Sequence, residues 1–260
     1  MGQHLTTAVF VYKMARNANE KILADLQKQN QIDVHSEHPG DTALLLACEA
    51  NNVSAVKLLL KYGADPKYQN AWKWTPAHYA AKYSNVEILE LLKEYKADFQ
   101  CLDADFSTPL HWAATYGKSA NLSWLLKQNV KVNIKDTWDG NTPLHDAAAC
   151  GDTECVRLLI KYGATVDCFN DPSSNYKPFP LQHCYYPLDL AIKGSHRDVI
   201  DILRPLTKSA NPVSNTSENE ESEHRKSFIA QMPFGVMISL ILVIVAVIIG
   251  YFLSRKASGN

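Results

Sequence analysis

The sequence predicts an all-α solenoid of about six helix pairs, joined by β-turn or hairpin loops and followed by a single C-terminal transmembrane helix. Two observations lead to this prediction. A short phrase built around threonine returns at Thr42, Thr75, Thr108 and Thr142, at intervals of 33, 33 and 34 residues. Near the end of the chain, 20 consecutive residues from 234 to 253 carry no charge. An interval of this size is typical of helix-pair repeats, and an uncharged run of this length is typical of a membrane span.

Each repeat contains the signals that begin and end a pair of helices. In three of the four phrases a proline follows the threonine. The threonine hydroxyl can accept a hydrogen bond from a backbone N–H of the first turn, and the proline lies where no donor is lost. Gly63 and Gly163 stand where the second helix must end in a left-handed residue. Lys96 and Asn129 occupy that position in the two repeats between, and we expect strain at the lysine.

The recurring phrases resemble those of the ankyrin-repeat family. They are Asp41-Thr42-Ala43-Leu44, Trp74-Thr75-Pro76-Ala77-His78, Ser107-Thr108-Pro109-Leu110-His111 and Asn141-Thr142-Pro143-Leu144-His145. A fifth, at 186–191, follows a Pro-, Ser- and aromatic-rich insert at 171–184, and residues 15–34 resemble a degenerate first repeat. The insert reads as an extended loop, which either widens the binding surface or is merely tolerated. The resemblance implies an ankyrin-repeat domain over residues 5–206, stable because neighbouring repeats bury one another's apolar faces.

The resemblance also implies where a protein partner binds. Ankyrin repeats bind proteins on their concave side, through the loop tips before the threonine and the residues after the small pair on the first helix. The matching positions here are Trp72, Trp74, Lys82, Tyr83, Asp105, Phe106, Thr115, Tyr116, Trp138 and Asp139. Exposed aromatic side chains are frequent centres of binding energy. We expect the centre of the patch at Trp72, Tyr83, Tyr116 and Trp138. The rings of Phe106 and Trp74 have the alternative of packing between neighbouring repeats.

Composition and motifs favour binding over catalysis. His78, His111 and His145 recur at one position of the repeat, where the family's histidine bonds to the turn and braces the next repeat, so a structural role is expected. The chain carries 26 basic and 27 acidic residues, which disfavours a nucleic-acid partner because such binders present a basic surface. The six cysteines lack a Cys-x-x-Cys pair, so no metal site is predicted. We expect no enzyme activity, no cofactor and no small-molecule substrate.

The uncharged run predicts a transmembrane helix over residues 233–253, long enough as a helix to cross about 30 Å of hydrocarbon. The polar segment 207–232 predicts a disordered linker, and a short tail, 254–260, follows the span. No secretory signal is evident at the amino terminus. We therefore expect a tail-anchored protein with its repeats facing the cytosol. Strong hydrophobicity of the span favours the endoplasmic reticulum membrane, whereas basic residues on both sides of it favour the mitochondrial outer membrane as the alternative.

The sequence leaves three functions open. The leading one is a non-enzymatic adaptor, anchored on an intracellular membrane, that binds a protein partner through the concave face of the repeats. The alternatives are a secreted bacterial effector that acts at host membranes and a regulatory accessory subunit of a membrane enzyme or channel. In addition, Gly2 with the threonine at position 6 fits the N-myristoylation pattern, which makes Gly2 a possible lipidation site.

Overall fold

The computed structural model describes residues 20–28, 40–137, 139–170 and 185–207, all within one compact unit. These ranges contain eleven α-helices and no β-strand. The helices are α1 (Glu20–Lys28), α2 (Ala43–Glu49), α3 (Val53–Lys61), α4 (Pro76–Tyr83), α5 (Val86–Glu94), α6 (Pro109–Thr115), α7 (Ser119–Leu126), α8 (Pro143–Cys150), α9 (Thr153–Lys161), α10 (Pro187–Lys193) and α11 (Arg197–Leu203). After α1 they form five pairs, each with a first and a second helix, as the repeat predicts.

The helices pack in two rows. The first helices contact one another in the order α2, α4, α6, α8 and α10, and the second helices in the order α1, α3, α5, α7, α9 and α11. Fully buried alanine pairs such as Ala80-Ala81 and Ala147-Ala148 lie on the first helices, where small side chains let neighbouring helices approach closely. Leucines such as Leu59 and Leu125, which have no exposed surface, fill the space between the rows. Burying each leucine stabilises the fold by roughly 1.5–3 kcal/mol, and this burial requires a neighbouring repeat.

Helix starts and ends follow the predicted chemistry. The Thr42 hydroxyl accepts from the Leu45 N–H at 3.4 Å. At the ends of the second helices, Gly63, Lys96, Asn129 and Gly163 have φ angles of 93°, 65°, 59° and 88°. The prediction of a left-handed residue at this position is therefore confirmed in all four repeats. Lys96 adopts this left-handed conformation although it has a Cβ, so it bears a steric penalty that a glycine would avoid.

The loop tips between pairs are tight turns that contact one another. The Asp103 N–H donates to the Ser107 carbonyl at 3.0 Å and closes one tip. Neighbouring tips are joined through the backbone, because the Ala104 N–H donates to the Trp72 carbonyl at 3.0 Å and the Thr137 N–H to the Asp105 carbonyl at 2.8 Å. The loops thus continue the stacking of the helices, and side chains on successive tips lie on one face.

None of the helices in the described ranges is long and apolar enough to cross a membrane. The predicted transmembrane helix at 233–253 lies outside those ranges. So do the predicted linker beyond residue 207, the insert at 171–184 and the possible lipidation site at Gly2.

Candidate functional site

The repeated histidines connect the second, third and fourth pairs to the pair that follows each, whereas the first pair has Leu45 at this position. In His111 the ring Nδ1 accepts from the Thr108 N–H at 3.1 Å, and Nε2 donates to the carbonyls of Ile134 at 3.1 Å and Asn141 at 3.3 Å. His78 donates in the same way to the Ser107 carbonyl at 3.1 Å, and His145 to the Tyr185 carbonyl at 3.1 Å. The structural role expected for these histidines is confirmed.

Burial sets the protonation state of the bridging histidines. The three rings are at most 1 % exposed, and this burial lowers the pKa of His78, His111 and His145 to about 4, although the backbone carbonyls they contact partly oppose the shift. Each ring is therefore neutral at pH 7. With both nitrogens bonded inside the array, these histidines have no lone pair or proton available to a substrate.

The fifth pair differs at this position. Asp189 replaces the histidine, and its Oδ2 accepts from the Tyr186 N–H at 2.9 Å. The side chain is 8 % exposed, and its Oδ1 has no hydrogen-bond partner among the described residues. Burial raises the pKa of Asp189, and the bond from the Tyr186 N–H opposes that shift.

Buried Asn and Asp side chains hold the loop tips, a role that the sequence reasoning missed. Asp103 Oδ1 accepts from the N–H groups of Asp105 at 3.0 Å and Ser107 at 2.8 Å. Asn70 Oδ1 accepts from the N–H groups of Trp72 and Trp74 at 3.0 Å each. These side chains repeat at the same interval as the threonines, with Asp136 and Asn170 in the later repeats, and this regularity was the available signal.

An aromatic strip runs from a loop tip to the ends of two first helices. We define it as Trp72, Trp74, Tyr79, Tyr83, Trp112 and Tyr116. Ring centroids are 4.5 Å apart for Trp72 and Trp74, 5.0 Å for Trp74 and Trp112, and 6.0 Å for Tyr79 and Tyr83. Trp112 Nε1 donates to Asp103 Oδ2 at 3.0 Å, which fixes its ring against the loop. Trp74 and Trp112 meet edge to face, at an interplanar angle of 78°, and such a pair contributes about 0.5–1.5 kcal/mol beyond its burial.

Lys82 lies at the centre of the strip. Its Nζ is 4.1 Å from the centroid of the Tyr116 ring, 4.5 Å from that of Tyr83 and 5.4 Å from that of Trp112. Burial acts to lower the pKa of Lys82, but hydrogen bonding to the Tyr116 and Tyr83 hydroxyls outweighs it, and the pKa is raised. The ammonium group is charged at pH 7 and held by the chain's own rings.

The structure places most of the predicted site residues on this face. Trp72 is 38 % exposed, Tyr83 37 %, Tyr116 48 % and Phe106 50 %. Trp74 and Lys82 are half-buried, and Trp74 packs between repeats against Trp112. Asp105 and Thr115 are exposed and Asp139 is half-buried. Trp138 lies outside the described residues.

Three residues of this face were not predicted from the sequence. Tyr79, Trp112 and Asp146 each directly follow a bridging histidine. Tyr79 and Trp112 supply the inner rings of the strip, and Asn141 Nδ2 donates to the half-buried Asp146 at 3.3 Å. Burial and the neighbouring Asp136 raise the pKa of Asp146 well above its usual range. The regular position after the histidine was the signal that could have identified all three.

Comparison with known proteins identifies the repeat. The family model described as "Ankyrin repeats (3 copies)" matches residues 11–103 and 97–170, more than half of the chain. This chain belongs to the ankyrin-repeat family. Ankyrin repeats generally bind protein partners, so a role in protein–protein interaction follows for the ankyrin array.

Known relatives share the repeats over small parts of their length. The human "Transient receptor potential cation channel subfamily A member 1" is 29 % identical over 150 residues, which are 57 % of this chain and 11 % of the relative. The bovine "SMC5-SMC6 complex localization factor protein 1" is 28 % identical over 198 residues, 75 % of this chain and 14 % of the relative. "Ankyrin repeat domain-containing protein 37" of Xenopus tropicalis is 41 % identical over 54 residues, 21 % of this chain and 32 % of the relative. The chain therefore spans a third or less of each of these proteins.

Proposed function

We propose that this protein is a non-enzymatic adaptor, in which the ankyrin array binds a protein partner and the C-terminal segment holds it on an intracellular membrane. The observation that carries the proposal is the aromatic strip. Trp72, Tyr83 and Tyr116 expose large rings on one continuous face, where a monomeric surface would normally present polar groups. Exposed patches of this kind mark interaction sites, and Trp and Tyr are the side chains that most often dominate binding energy.

Backbone strain at the rim of the strip supports the proposal. Phe106 has a φ of 60° and is half exposed at the loop tip. Gly40, Lys73 and Gly140 occupy the same tip position in three other repeats, with φ of 83°, 59° and 71°. A phenylalanine in a left-handed conformation costs about 1–2 kcal/mol relative to glycine, and strained residues are frequent at binding sites. A role for the exposed ring explains why this repeat keeps it.

Two further observations support a binding role on a membrane. The three repeated histidines have both ring nitrogens bonded within the array, which favours binding over catalysis at these residues. The uncharged residues 234–253 supply a span for anchoring, with the repeats facing the cytosol. We place the protein in the endoplasmic reticulum membrane, with the mitochondrial outer membrane as the alternative.

Proximity labelling of the intact chain in cells tests the partner, and imaging tests the anchor. The double variant Trp72→Ala with Tyr116→Ala should lose the enriched partners. Phe169→Ala is the matched control, because Phe169 is as exposed as Tyr116, at 48 %, but lies outside the strip. An amino-terminally tagged chain should colocalise with an organelle membrane, and deletion of residues 233–260 should disperse it. Partners that persist in the double variant would contradict the binding face, and a freely soluble full chain would contradict the anchor.

A further inference from the structure

A cage of three rings on the exposed face is already occupied by a cation of the chain itself. Tyr83, Trp112 and Tyr116 surround the Lys82 ammonium at centroid distances of 4.5, 5.4 and 4.1 Å. The faces of aromatic rings attract cations at this range. Tyr83 and Tyr116 are 37 % and 48 % exposed, so the cage opens to solvent. The side chain of a lysine is flexible, and another cation of similar size can replace it in the cage.

Carboxylates border the same face toward the fourth pair. Asp105 is exposed on the loop tip beside Phe106, and Asp146 is half-buried on α8. Within the described part of the chain, no lysine or arginine forms an ion pair with Asp105 or Asp146. Burial and neighbouring aspartates raise the pKa of both carboxyl groups. Such shifts reflect the absence of a nearby cation among the described residues, so a basic group brought by a partner would favour the ionised form of both carboxyl groups and gain two acceptors.

We infer that the face binds a basic peptide segment, one lysine or arginine of which replaces Lys82 between Tyr83, Trp112 and Tyr116. Further basic residues of the segment face Asp105 and Asp146. This inference rests on the proposed function, because it specifies the chemistry of the partner at the same face. Lys82 is then an internal substitute for the partner's cation, which keeps the cage formed in the free protein and lowers the affinity of the partner by competition.

An acidic segment suits the surface less well. It would bring carboxylates against Asp105 and Asp146, and like charges in contact are unfavourable. Lys82 could attract such a segment, as could the exposed Lys73 at the neighbouring tip. The two possibilities predict opposite effects of removing the Lys82 charge, because Lys82 competes with a basic partner and attracts an acidic one.

The test uses the full chain in detergent micelles. A random peptide library is selected against it, and the strongest binder is synthesised with a fluorescent label and titrated by fluorescence anisotropy. We expect the selected peptide to contain lysine or arginine. Lys82→Met should bind it about fivefold more tightly, since a cation–π contact of about 1 kcal/mol becomes available. The double variant Asp105→Asn with Asp146→Asn should bind it about tenfold more weakly.

Two controls keep the result interpretable. Lys135→Met removes the same charge from a lysine that contacts Phe169 outside the strip, and it should leave the affinity unchanged. Lys82→Arg keeps a cation in the cage and should not gain affinity, and urea unfolding of each variant verifies that the array is intact.

The outcomes separate the inference from the proposed function. Two results would refute the inference that the partner is basic while leaving the proposed binding face intact. One is weaker peptide binding by Lys82→Met. The other is selection of an acidic or uncharged peptide whose affinity falls with Tyr116→Ala. Selected peptides that respond neither to Tyr116→Ala nor to Lys82→Met would overturn both.

Discussion

Mild acid should destabilise the ankyrin array through its three bridging histidines. In the folded array burial lowers the pKa of His78, His111 and His145 to about 4, whereas an unfolded histidine titrates near 6.5. Between these values the unfolded chain binds more protons than the folded array. These groups leave the free energy of unfolding unchanged well above pH 6.5, and they lower it progressively as the pH drops through 6.5 toward 4.

The size of the effect follows from the same pKa values. Between pH 7 and pH 5.5 each histidine lowers the free energy of unfolding by about 1.2 kcal/mol, and the three together by about 4 kcal/mol. Buried aspartates act in the opposite direction. The pKa values of Asp103, Asp136 and Asp146 are raised by burial, so the folded state takes up their protons first and gains stability as the pH falls. The sum for the histidines is thus an upper value.

Urea unfolding of the full chain at a series of pH values measures this slope. All five tryptophans lie between residues 72 and 138, so tryptophan fluorescence follows the array and not the C-terminal segment. His111→Asn should reduce the loss of stability between pH 7 and pH 5.5 by about 1.2 kcal/mol; the slopes are compared, because the variant is also less stable at every pH. The buried aspartates are the same in the wild type and the variant, so the comparison isolates the histidine, and an unchanged slope in His111→Asn would refute the reasoning.

Three further predictions concern single positions, each measured by the same urea unfolding at pH 7. Gly151→Ala should destabilise the array by about 3 kcal/mol, because Gly151 has a φ of +80° and an added Cβ would lie 2.3 Å from the His196 ring. Gly163→Ala should cost only about 1 kcal/mol, because its φ is +88° but no atom lies within 4 Å of the added Cβ. Equal losses of stability in the two variants would contradict a steric clash between the added Cβ at position 151 and the His196 ring. Lys96→Gly should stabilise the array by about 0.5 kcal/mol, as relief of the left-handed strain exceeds the entropy of the added glycine; a loss of stability would show that the lysine is not strained. Asp103→Ala removes the acceptor of two loop N–H groups and of the Trp112 indole N–H, and it should cost about 3 kcal/mol of stability. Asp103→Asn keeps an acceptor oxygen and should cost about 1 kcal/mol. A larger loss in Asp103→Asn than in Asp103→Ala would indicate that the charge matters more than the hydrogen bonds.

The helices, their caps and the left-handed residues could be predicted because each depends on neighbours close in the sequence. Thr42, Gly63 and Lys96 belong to signals that act within a few residues, and their recurrence in register separates them from chance. The bridging role of the histidines was accessible only through the family resemblance, since their acceptors lie 23–40 residues further along the chain.

The candidate site was predicted as a set of positions but not as an arrangement. Trp72, Tyr83 and Tyr116 followed from their place in the repeat. That Lys82 lies among the rings of two repeats depends on side-chain directions across a repeat junction, which no local pattern specifies. Trp112 was missed because only the loop tips and the residues after the small pair were considered, and the position after the histidine is neither, although its indole bonds to the loop residue Asp103.

The C-terminal end of the ankyrin array disfavours the addition of one more copy of its own last unit. At the three junctions before it, a histidine N–H on one side meets a carbonyl oxygen on the other. Asp189 would instead present a carboxylate oxygen to that carbonyl, so two acceptors would face each other without a proton between them. An added unit would join weakly unless Asp189 reverted to histidine. Lengthening of this protein by gene duplication is therefore expected at the inner junctions rather than after the fifth pair.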